Sequence, residues 1–558
     1  MKKINTSHDN TTNKSRTNEK NIATVKRQNT FEYLIVNLVC LFLFLAFAYI
    51  AVMSIFQTSV FDPTAYGAEK IIFQKDNIAL NIFMTVLFAV FVFKMKKHYD
   101  FFAKVNMRFL EIGLVVYALL LGFVWIFSVT SIPAADSYNV FETASQAANG
   151  NYSSLSGSDF YNSAYYNGYS YYNFYPFQLG FVFISEIVYR IFGTQSYMPI
   201  QIINVICVAV TYLGIAKITK HLFKRRSVEF IAILLLAGCF QPILFSTFVY
   251  GNIIGMCCAV WASYFLIRYF QSSKYILLLP CGALLVLATM AKYNNIIYLI
   301  AFVVMLIVHT VKDKKWQSIA FALAICVAAV GVNNLIIISY ENRAGVKLAD
   351  GVSQVLYLDM GLNESSMAPG WYNGIALETY KQYQLNDEAA NAAAWDDINT
   401  RINIFANNPG YAADFFGKKI TSQWNEPTFE SIWVSEVKSH SSEINAIGKG
   451  MYDGSLGQFF ELYFNLFIQI LYILFVIGIY CLFLKRKLNI ETALLLLVLL
   501  GGFGYHLLFE GKSQYILTYI VLLIPTAAYG MNTVLEGNFT KIKEYVGKLK
   551  TIPQTQKS

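Results

Sequence analysis

The sequence predicts an all-α polytopic membrane protein with about twelve transmembrane helices. Of its 558 residues, 56% are hydrophobic and only 14% are charged, whereas soluble domains contain about 25% charged residues. The mean hydropathy is +0.45. The formal net charge of +9 does not indicate a nucleic-acid partner, because the Lys and Arg residues gather in short loops and tails between apolar runs, as they do in cytoplasmic loops.

The apolar runs have lengths that approach the roughly 20 residues needed to cross a bilayer. They lie at residues 31–56, 78–93, 109–132, 197–217, 228–248, 253–270, 275–290, 295–311, 317–338, 459–484, 491–509 and 513–533. The first run is too long for a signal-peptide core, so it predicts an uncleaved span. The residues before it are polar and rich in Asn, Thr and Lys, which is typical of a disordered tail.

The predicted organisation follows from these runs and from the Lys/Arg clusters, which mark cytoplasmic loops. It comprises a disordered cytoplasmic tail over 1–28, a transmembrane module over 29–339 with an outer loop at 133–196, an extracellular domain over 340–458, C-terminal transmembrane helices over 459–535 and a cytoplasmic tail over 536–558. Both termini are then cytoplasmic, and the protein lies in the cytoplasmic membrane as a multi-pass chain.

One apolar run, at 176–192, does not fit as a span. If it crossed the membrane, the basic cluster from Lys217 to Arg226 would fall outside the cell, against the charge rule. We therefore predict a helix that lies in the membrane interface on the outer side. Glu186 and Arg190 are four residues apart in this run and fit a partly wet helix.

The hydrophilic segment at 340–458 is too long for an idle loop. Apolar residues at Ile398, Ile402 and Phe405 mark one helix face, and Asn408-Pro409-Gly410 breaks the pattern before a second helical stretch. The segment therefore predicts a small, mostly helical domain on the outer face.

Asp136 is the first candidate functional residue. It follows the apolar run at 109–132, in Pro133-Ala134-Ala135-Asp136-Ser137. A carboxylate at the edge of the membrane is costly, so it is by default a candidate for function. The alternative is that Asp136 only caps or anchors the interfacial helix.

Three cations follow apolar runs on the same predicted face: Lys292, Arg343 and Lys512. A carboxylate with several cations at the outer membrane edge suits a lipid-phosphate substrate, since cations hold the phosphate and the carboxylate takes a proton from an attacking hydroxyl. The alternative is that the cations only extend from helix ends toward water.

Further candidate substrate-binding residues are Asp159, Tyr175, Gln178, His506, Glu510 and Tyr515. Each has a structural alternative: a turn residue for Asp159, a packed histidine for His506, and a local ion pair with Lys512 for Glu510. Tyrosines are also common at membrane interfaces without a further role.

No phosphate-binding glycine loop, zinc motif or Ser-His-Asp signature occurs in the sequence. All eight cysteines lie in apolar runs, which is typical of buried small residues. The sequence therefore predicts no cofactor and gives no indication of a metal. Energy must come from a pre-activated substrate or from an ion gradient.

Several short motifs occur in a familiar order. They are the Asp at the end of an early span, Tyr175-Pro176-Phe177-Gln178-Leu179-Gly180, Ile191-Phe192-Gly193, and Ser513-Gln514-Tyr515-Ile516-Leu517. Together they resemble the GT-C membrane glycosyltransferases, specifically bacterial relatives of protein O-mannosyltransferases and aminoarabinose transferases of the form common in Gram-positive bacteria. Asp136 matches the catalytic acid of the first loop in that family. Three features depart from its pattern: Ser137 replaces a second acid, Gln514 replaces a basic residue, and the two spans before residue 100 are extra relative to the simplest members.

The resemblance implies a sugar donor linked to polyprenyl phosphate and used outside the cell. Asp136 would act as general base in an inverting transfer, while Lys292, Arg343 and Lys512 hold the lipid phosphate. The acceptor would be a wall polysaccharide such as a teichoic acid, a lipid or a protein. A polyprenyl-linked glycan flippase or secondary transporter is the alternative from another class, and a non-catalytic scaffold for wall assembly is a third.

Overall fold

A computed structural model describes residues 30–65, 67–157, 165–194, 196–438, 443–485 and 488–537. The predicted N-terminal tail, all but the first two residues of the predicted C-terminal tail, and Asp159 lie outside this part of the chain.

The first half of the chain forms helices, with one pair of strands. In order, these elements are α1 (Thr30–Phe56), β1 (Gln57–Phe61), β2 (Ile71–Lys75), α2 (Ile78–Met95), α3 (Tyr99–Lys104), α4 (Met107–Val129), α5 (Asp136–Ala148), α6 (Leu179–Phe192), α7 (Met198–Phe223), α8 (Arg226–Gly238), α9 (Gln241–Leu244), α10 (Asn252–Ser272), α11 (Leu278–Ala291), α12 (Ile296–Asp313) and α13 (Gln317–Ala344).

The second half is helical throughout its described residues. Its elements are α14 (Gln354–Leu362), α15 (Ile375–Gln382), α16 (Asp387–Asn407), α17 (Pro409–Trp424), α18 (Ser431–Val437), α19 (Ala446–Tyr452), α20 (Ser455–Leu484), α21 (Ile490–Leu508) and α22 (Ser513–Leu535).

The prediction of an all-α, multi-pass membrane protein is confirmed. Among the described residues, 10 helices are long and apolar enough to cross a membrane, or up to 11 if α8 and the segment from Gln241 to Thr247, bent by 43°, form one span. The remaining predicted span, at 275–290, corresponds to α11, which has only 14 residues.

Helix α22 is the centre of the bundle. Of the residues in the apolar 18-residue stretch of α22, 94% are buried, whereas in α2 the share is 11%. Helix α2 therefore presents most of its apolar surface outward. Two glycines let the backbones of α20 and α22 touch. A Cβ at Gly530 would lie 2.4 Å from the carbonyl oxygen of Leu474, and one at Gly478 would lie 2.1 Å from that of Thr526. Small residues at such positions permit close helix packing in membranes.

The segment between α13 and α20 contains the predicted helical break. Helices α16 and α17 are separated by the single residue Asn408, since Pro409 suits the first turn of a helix but not its interior. Ile398 is buried as expected, but Ile402 is half exposed. We call residues 345–454 the outer segment, after the side of the membrane that the sequence predicts for them.

A β-hairpin between α1 and α2 was not predicted. Strand β1 pairs antiparallel with β2, with Gln57 opposite Lys75. The hairpin is joined to the outer segment, because Ser59 N donates to the Asn425 carbonyl at 2.9 Å and Ile71 N donates to that of Met367 at 2.9 Å. The first two helices are thus connected by an element that packs against the outer segment.

The predicted outer loop at 133–196 contains two helices rather than one. Helix α5 begins at Asp136, and α6 follows a 3-10 turn at Pro176–Gln178. In α6, Arg190 forms an ion pair with Glu186 at 2.8 Å, in agreement with the predicted spacing. The C-terminal ends of α11 and α21 and the N-terminal ends of α5 and α22 surround the site described next.

Candidate functional site

A cavity of about 580 Å³ lies where these helix ends meet, within the usual range for a ligand pocket. Seven of the predicted site residues line it: Asp136, Tyr175, Gln178, Lys292, Glu510, Lys512 and Tyr515. They come from distant parts of the chain, so the fold collects the predicted carboxylate and two of the predicted cations in one place.

Asp136 owes its position to a constrained turn. The preceding residue, Ala135, has φ 50°, a conformation that is uncommon for residues other than glycine. The Ser137 hydroxyl braces the turn: it accepts from Ala134 N at 3.0 Å and donates to the Ala134 carbonyl at 2.7 Å. Asp136 is the first residue of α5, where the helix dipole favours a negative charge.

The Asp136 carboxylate is exposed to the cavity although it lies deep in the protein. Burial raises its pKa above the usual range, and Lys512, Lys292 and Lys438 oppose that rise. Within the described part of the chain, no hydrogen-bond donor contacts this carboxylate. It is therefore available to accept a proton from a ligand hydroxyl.

Lys292 lies in the break between α11 and α12. Its backbone is extended, with φ −148°, and Asn295 Nδ2 stabilises the break by donating to the carbonyls of Ala288 at 2.9 Å and Lys292 at 3.0 Å. The Lys292 ammonium lies 4.2 Å from the ring centre of Tyr250 and 5.6 Å from that of Tyr515, and both contacts favour the cation. Burial lowers the pKa of Lys292 to about 8.

Lys512 is the N-cap residue of α22, and its ammonium forms an ion pair with Glu69. Burial opposes its charge, but Glu69, Glu430 and Glu510 raise the pKa of Lys512 overall. The start of α22 is held by buried Glu430, which accepts from Ser513 Oγ and Gln514 N, both at 3.2 Å.

The loop before Lys512 is held by the outer segment. Lys419 Nζ donates to the Phe509 carbonyl at 2.8 Å, and Gly511 N donates to that of Gly370 at 3.1 Å. A Cβ at Gly361 would lie 2.3 Å from the carbonyl oxygen of Leu508. Contacts at Gly361, Gly370 and Lys419 thus hold the loop that leads to Lys512.

The sequence analysis missed two charged residues of the cavity, Lys438 and Glu69. The Lys438 ammonium lies 4.2 Å from the ring centre of Phe248 and 3.4 Å from Ser137 Oγ, and burial lowers its pKa to about 8. Both residues lie in connections without periodicity. The only available signal was that the predicted topology puts these connections on the outer side.

Two predicted site residues do not reach the cavity wall. The Arg343 guanidinium pairs with Glu186 at 2.9 Å and lies 4.1 Å from the ring centre of Tyr340. The buried Glu186 carboxylate needs this charge, so the prediction that Arg343 holds a phosphate in the cavity is corrected.

His506 is fully buried behind the wall. Its ring lies 5.3 Å from that of Tyr515, and its Nδ1 lies 3.4 Å from the Glu510 carbonyl oxygen. It packs against the wall instead of contacting the cavity, as its structural alternative proposed.

Aromatic residues form much of the remaining wall. The hydroxyls of Tyr165 and Tyr372 form a hydrogen bond of 2.9 Å in this wall, and the Gln178 amide donates to the Tyr250 hydroxyl. By contrast, Tyr172 is fully buried and absent from the wall. Flat aromatic surfaces beside charged groups suit a ligand with both apolar and polar parts.

The described acidic residues of this site are not arranged as a metal centre. Over the ranges that the structure describes, no group of three or more His, Cys, Asp or Glu side chains is placed to hold a metal ion.

Residues 178–337 match the family model for dolichyl-phosphate-mannose-protein mannosyltransferases. This match supports the predicted resemblance to GT-C membrane glycosyltransferases. The matched segment is less than half of the chain, and it contains Lys292 but neither Asp136 nor Lys512. No curated protein matches the chain.

Two solved structures are similar in part. One is the oligosaccharyltransferase of Archaeoglobus fulgidus in complex with Zn and sulfate, at 14% identity and TM-score 0.39, covering 79% of this chain and 51% of that one. The other is ArnT from Cupriavidus metallidurans bound to undecaprenyl phosphate, at 12% identity and TM-score 0.31, covering 80% of this chain and 81% of that one. The chain thus spans about half the length of the archaeal enzyme.

Proposed function

We propose that this protein transfers a sugar from a polyprenyl-phosphate donor to an acceptor hydroxyl at the outer face of the cytoplasmic membrane. The observation that carries the proposal is the Asp136 carboxylate, which faces a cavity together with the ammonium groups of Lys292, Lys438 and Lys512. The family model matched by residues 178–337 is that of enzymes named for a dolichyl-phosphate sugar, which is a donor of this chemical class.

In the proposed reaction, Asp136 accepts the proton of the acceptor hydroxyl while the oxygen of that hydroxyl attacks the anomeric carbon of the sugar. The bond between that carbon and the phosphate oxygen breaks, and the polyprenyl phosphate leaves with the electron pair. Attack opposite the leaving group inverts the anomeric configuration. Fixed cations stabilise the charge that develops on the phosphate.

The set of cations proposed to bind the donor phosphate differs from the predicted set. Lys292 and Lys512 keep the role assigned to them, Lys438 joins them, and Arg343 has no part because it pairs with Glu186. Both termini would be cytoplasmic, and the acceptor would be a component of the cell envelope: a glycopolymer, a lipid or a protein.

The test is transfer of labelled sugar from a set of polyprenyl-phosphate hexoses to cell-envelope acceptor, catalysed by membranes that contain wild type or Asp136→Asn. We expect wild-type transfer and a loss of at least about 100-fold in the variant, since positioned general bases contribute roughly 10²- to 10⁴-fold. The matched control is Asp414→Asn, which removes a carboxylate that is 57% exposed in the outer segment.

Full activity of Asp136→Asn, in protein that is folded and inserted, would refute the role of Asp136. Donor turnover by purified wild type separates a transferase from a flippase and from a scaffold, because neither of those cleaves the bond between sugar and phosphate.

A further inference from the structure

The ion pair between Glu69 and Lys512 joins the N-terminal helix pair to the site. Glu69 lies in the connection between β1 and β2, and Gly67 and Ala68 line the cavity beside it. The pair is largely buried, with the two side chains 18% and 12% exposed. The hairpin between α1 and α2 thus places the Glu69 carboxylate beside Lys512, the cation that the proposed function assigns to the donor phosphate.

The three ammonium groups of the cavity differ in their partners. Lys292 and Lys438 lie over aromatic rings, and within the described residues neither has a carboxylate within ion-pair distance. Lys512 has Glu69. A phosphate that approaches Lys512 would meet the Glu69 carboxylate, and two anions beside one partly buried ammonium repel each other strongly.

The Glu69 carboxylate is attached to the site by one contact. In the portion of the chain that is described, Lys512 is the sole donor to it. The other acid of the connection, Asp62, is fixed differently: it accepts from Thr64 N at 2.9 Å and pairs with Lys70 at 2.9 Å. Space beside Gly67 is open, since a Cβ there would have no atom within 4 Å. Glu69 can therefore leave Lys512 without breaking the hairpin.

We propose that Glu69 occupies the place of the donor phosphate at Lys512 and is exchanged for it when the lipid-linked donor binds. The inference rests on the proposed function. Glu69 keeps a buried ammonium paired while the site is empty, because an unpaired buried charge is costly. It also lowers donor affinity, because the phosphate must displace it.

The experiment measures binding of undecaprenyl phosphate, without sugar, to purified full-length protein in detergent. Undecaprenyl alcohol serves as the control for the lipid chain and inorganic phosphate as the control for the free anion. The variants are Glu69→Gln, Glu69→Ala and Lys512→Gln. Glu378→Gln removes a carboxylate that is 62% exposed in the outer segment and is the charge-matched control. Thermal unfolding verifies that each variant is folded.

We expect both Glu69 variants to bind undecaprenyl phosphate more tightly, by up to about tenfold, which corresponds to about 1.4 kcal/mol. Glu378→Gln should bind undecaprenyl phosphate like wild type, and Lys512→Gln should bind it more weakly. Binding of undecaprenyl alcohol should be the same in wild type and in both Glu69 variants. A residue that merely supports the hairpin would not give tighter binding.

Two results would overturn the inference and differ in what they leave standing. If the Glu69 variants bind equally or more weakly while Lys512→Gln still loses affinity, Glu69 does not compete with the phosphate, and the proposed donor site remains. If wild type shows no binding that depends on the phosphate, or if Lys512→Gln binds like wild type, the donor site at Lys512 fails and the inference fails with it.

Discussion

Replacing Lys438 with arginine should change the alkaline limb of the pH profile. Burial lowers the pKa of both Lys292 and Lys438 to about 8, and both face the proposed phosphate site. Since kcat/KM reports ionisations of the free enzyme, it should fall above pH 8 as these ammonium groups lose their protons. It should also fall in acid, at a pH above that of an ordinary aspartate, because burial raises the pKa of Asp136.

The magnitude follows from the two lysine values. One unit above its pKa a lysine is about one-tenth charged, so if both cations are needed, wild-type kcat/KM at pH 9 is about 100-fold below its plateau. An arginine stays charged with a pKa above about 12, so Lys438→Arg should lose only about tenfold. The acid limb should not move, since Asp136 is unchanged.

The assay is sugar transfer at donor concentrations below KM, from pH 5 to pH 10, with Lys418→Arg as the control. Lys418 is 45% exposed in a surface pair with Asp414. If wild type keeps its plateau to pH 10, neither lysine acts on the donor as a charged group. If Lys438→Arg follows the wild-type limb, the role of Lys438 is refuted.

Two further predictions concern the supports of the site. Gly361→Ala should lower the unfolding temperature and weaken donor binding, because the added Cβ meets the Leu508 carbonyl and such overpacking costs about 1–3 kcal/mol. The control Gly410→Ala, with open space around the added Cβ, should change neither quantity. Equal behaviour of the two variants would refute the packing argument. Arg343→Gln should destabilise the protein by roughly 1–3 kcal/mol without changing the KM for the donor. This is less than the value for a fully buried pair, because Arg343 is 28% exposed. A raised KM with an unchanged unfolding temperature would restore the phosphate-binding role of Arg343.

Much of the fold was accessible from sequence because hydropathy and charge are local properties. Apolar runs marked the spans, and the charge rule excluded 176–192 from crossing, which agrees with the short amphipathic helix α6. The same alternation of sides predicted that Asp136, Lys292 and Lys512 would share one end of the bundle. The hairpin escaped prediction because two strands of five residues have too little periodicity to be recognised.

Which charged residues meet was decided by the tertiary structure alone. The sequence predicted that Arg343 lies on the same face as Asp136, but in the structure the packing of α6 pairs Arg343 with the buried Glu186. Glu69 and Lys438 reach the cavity through contacts of the hairpin and the outer segment, residues hundreds of positions apart. A sequence determines where a side chain lies along the membrane normal, because that depends on its own neighbours in the chain. Its partner depends on lateral packing, which is set by long-range contacts that no local pattern contains.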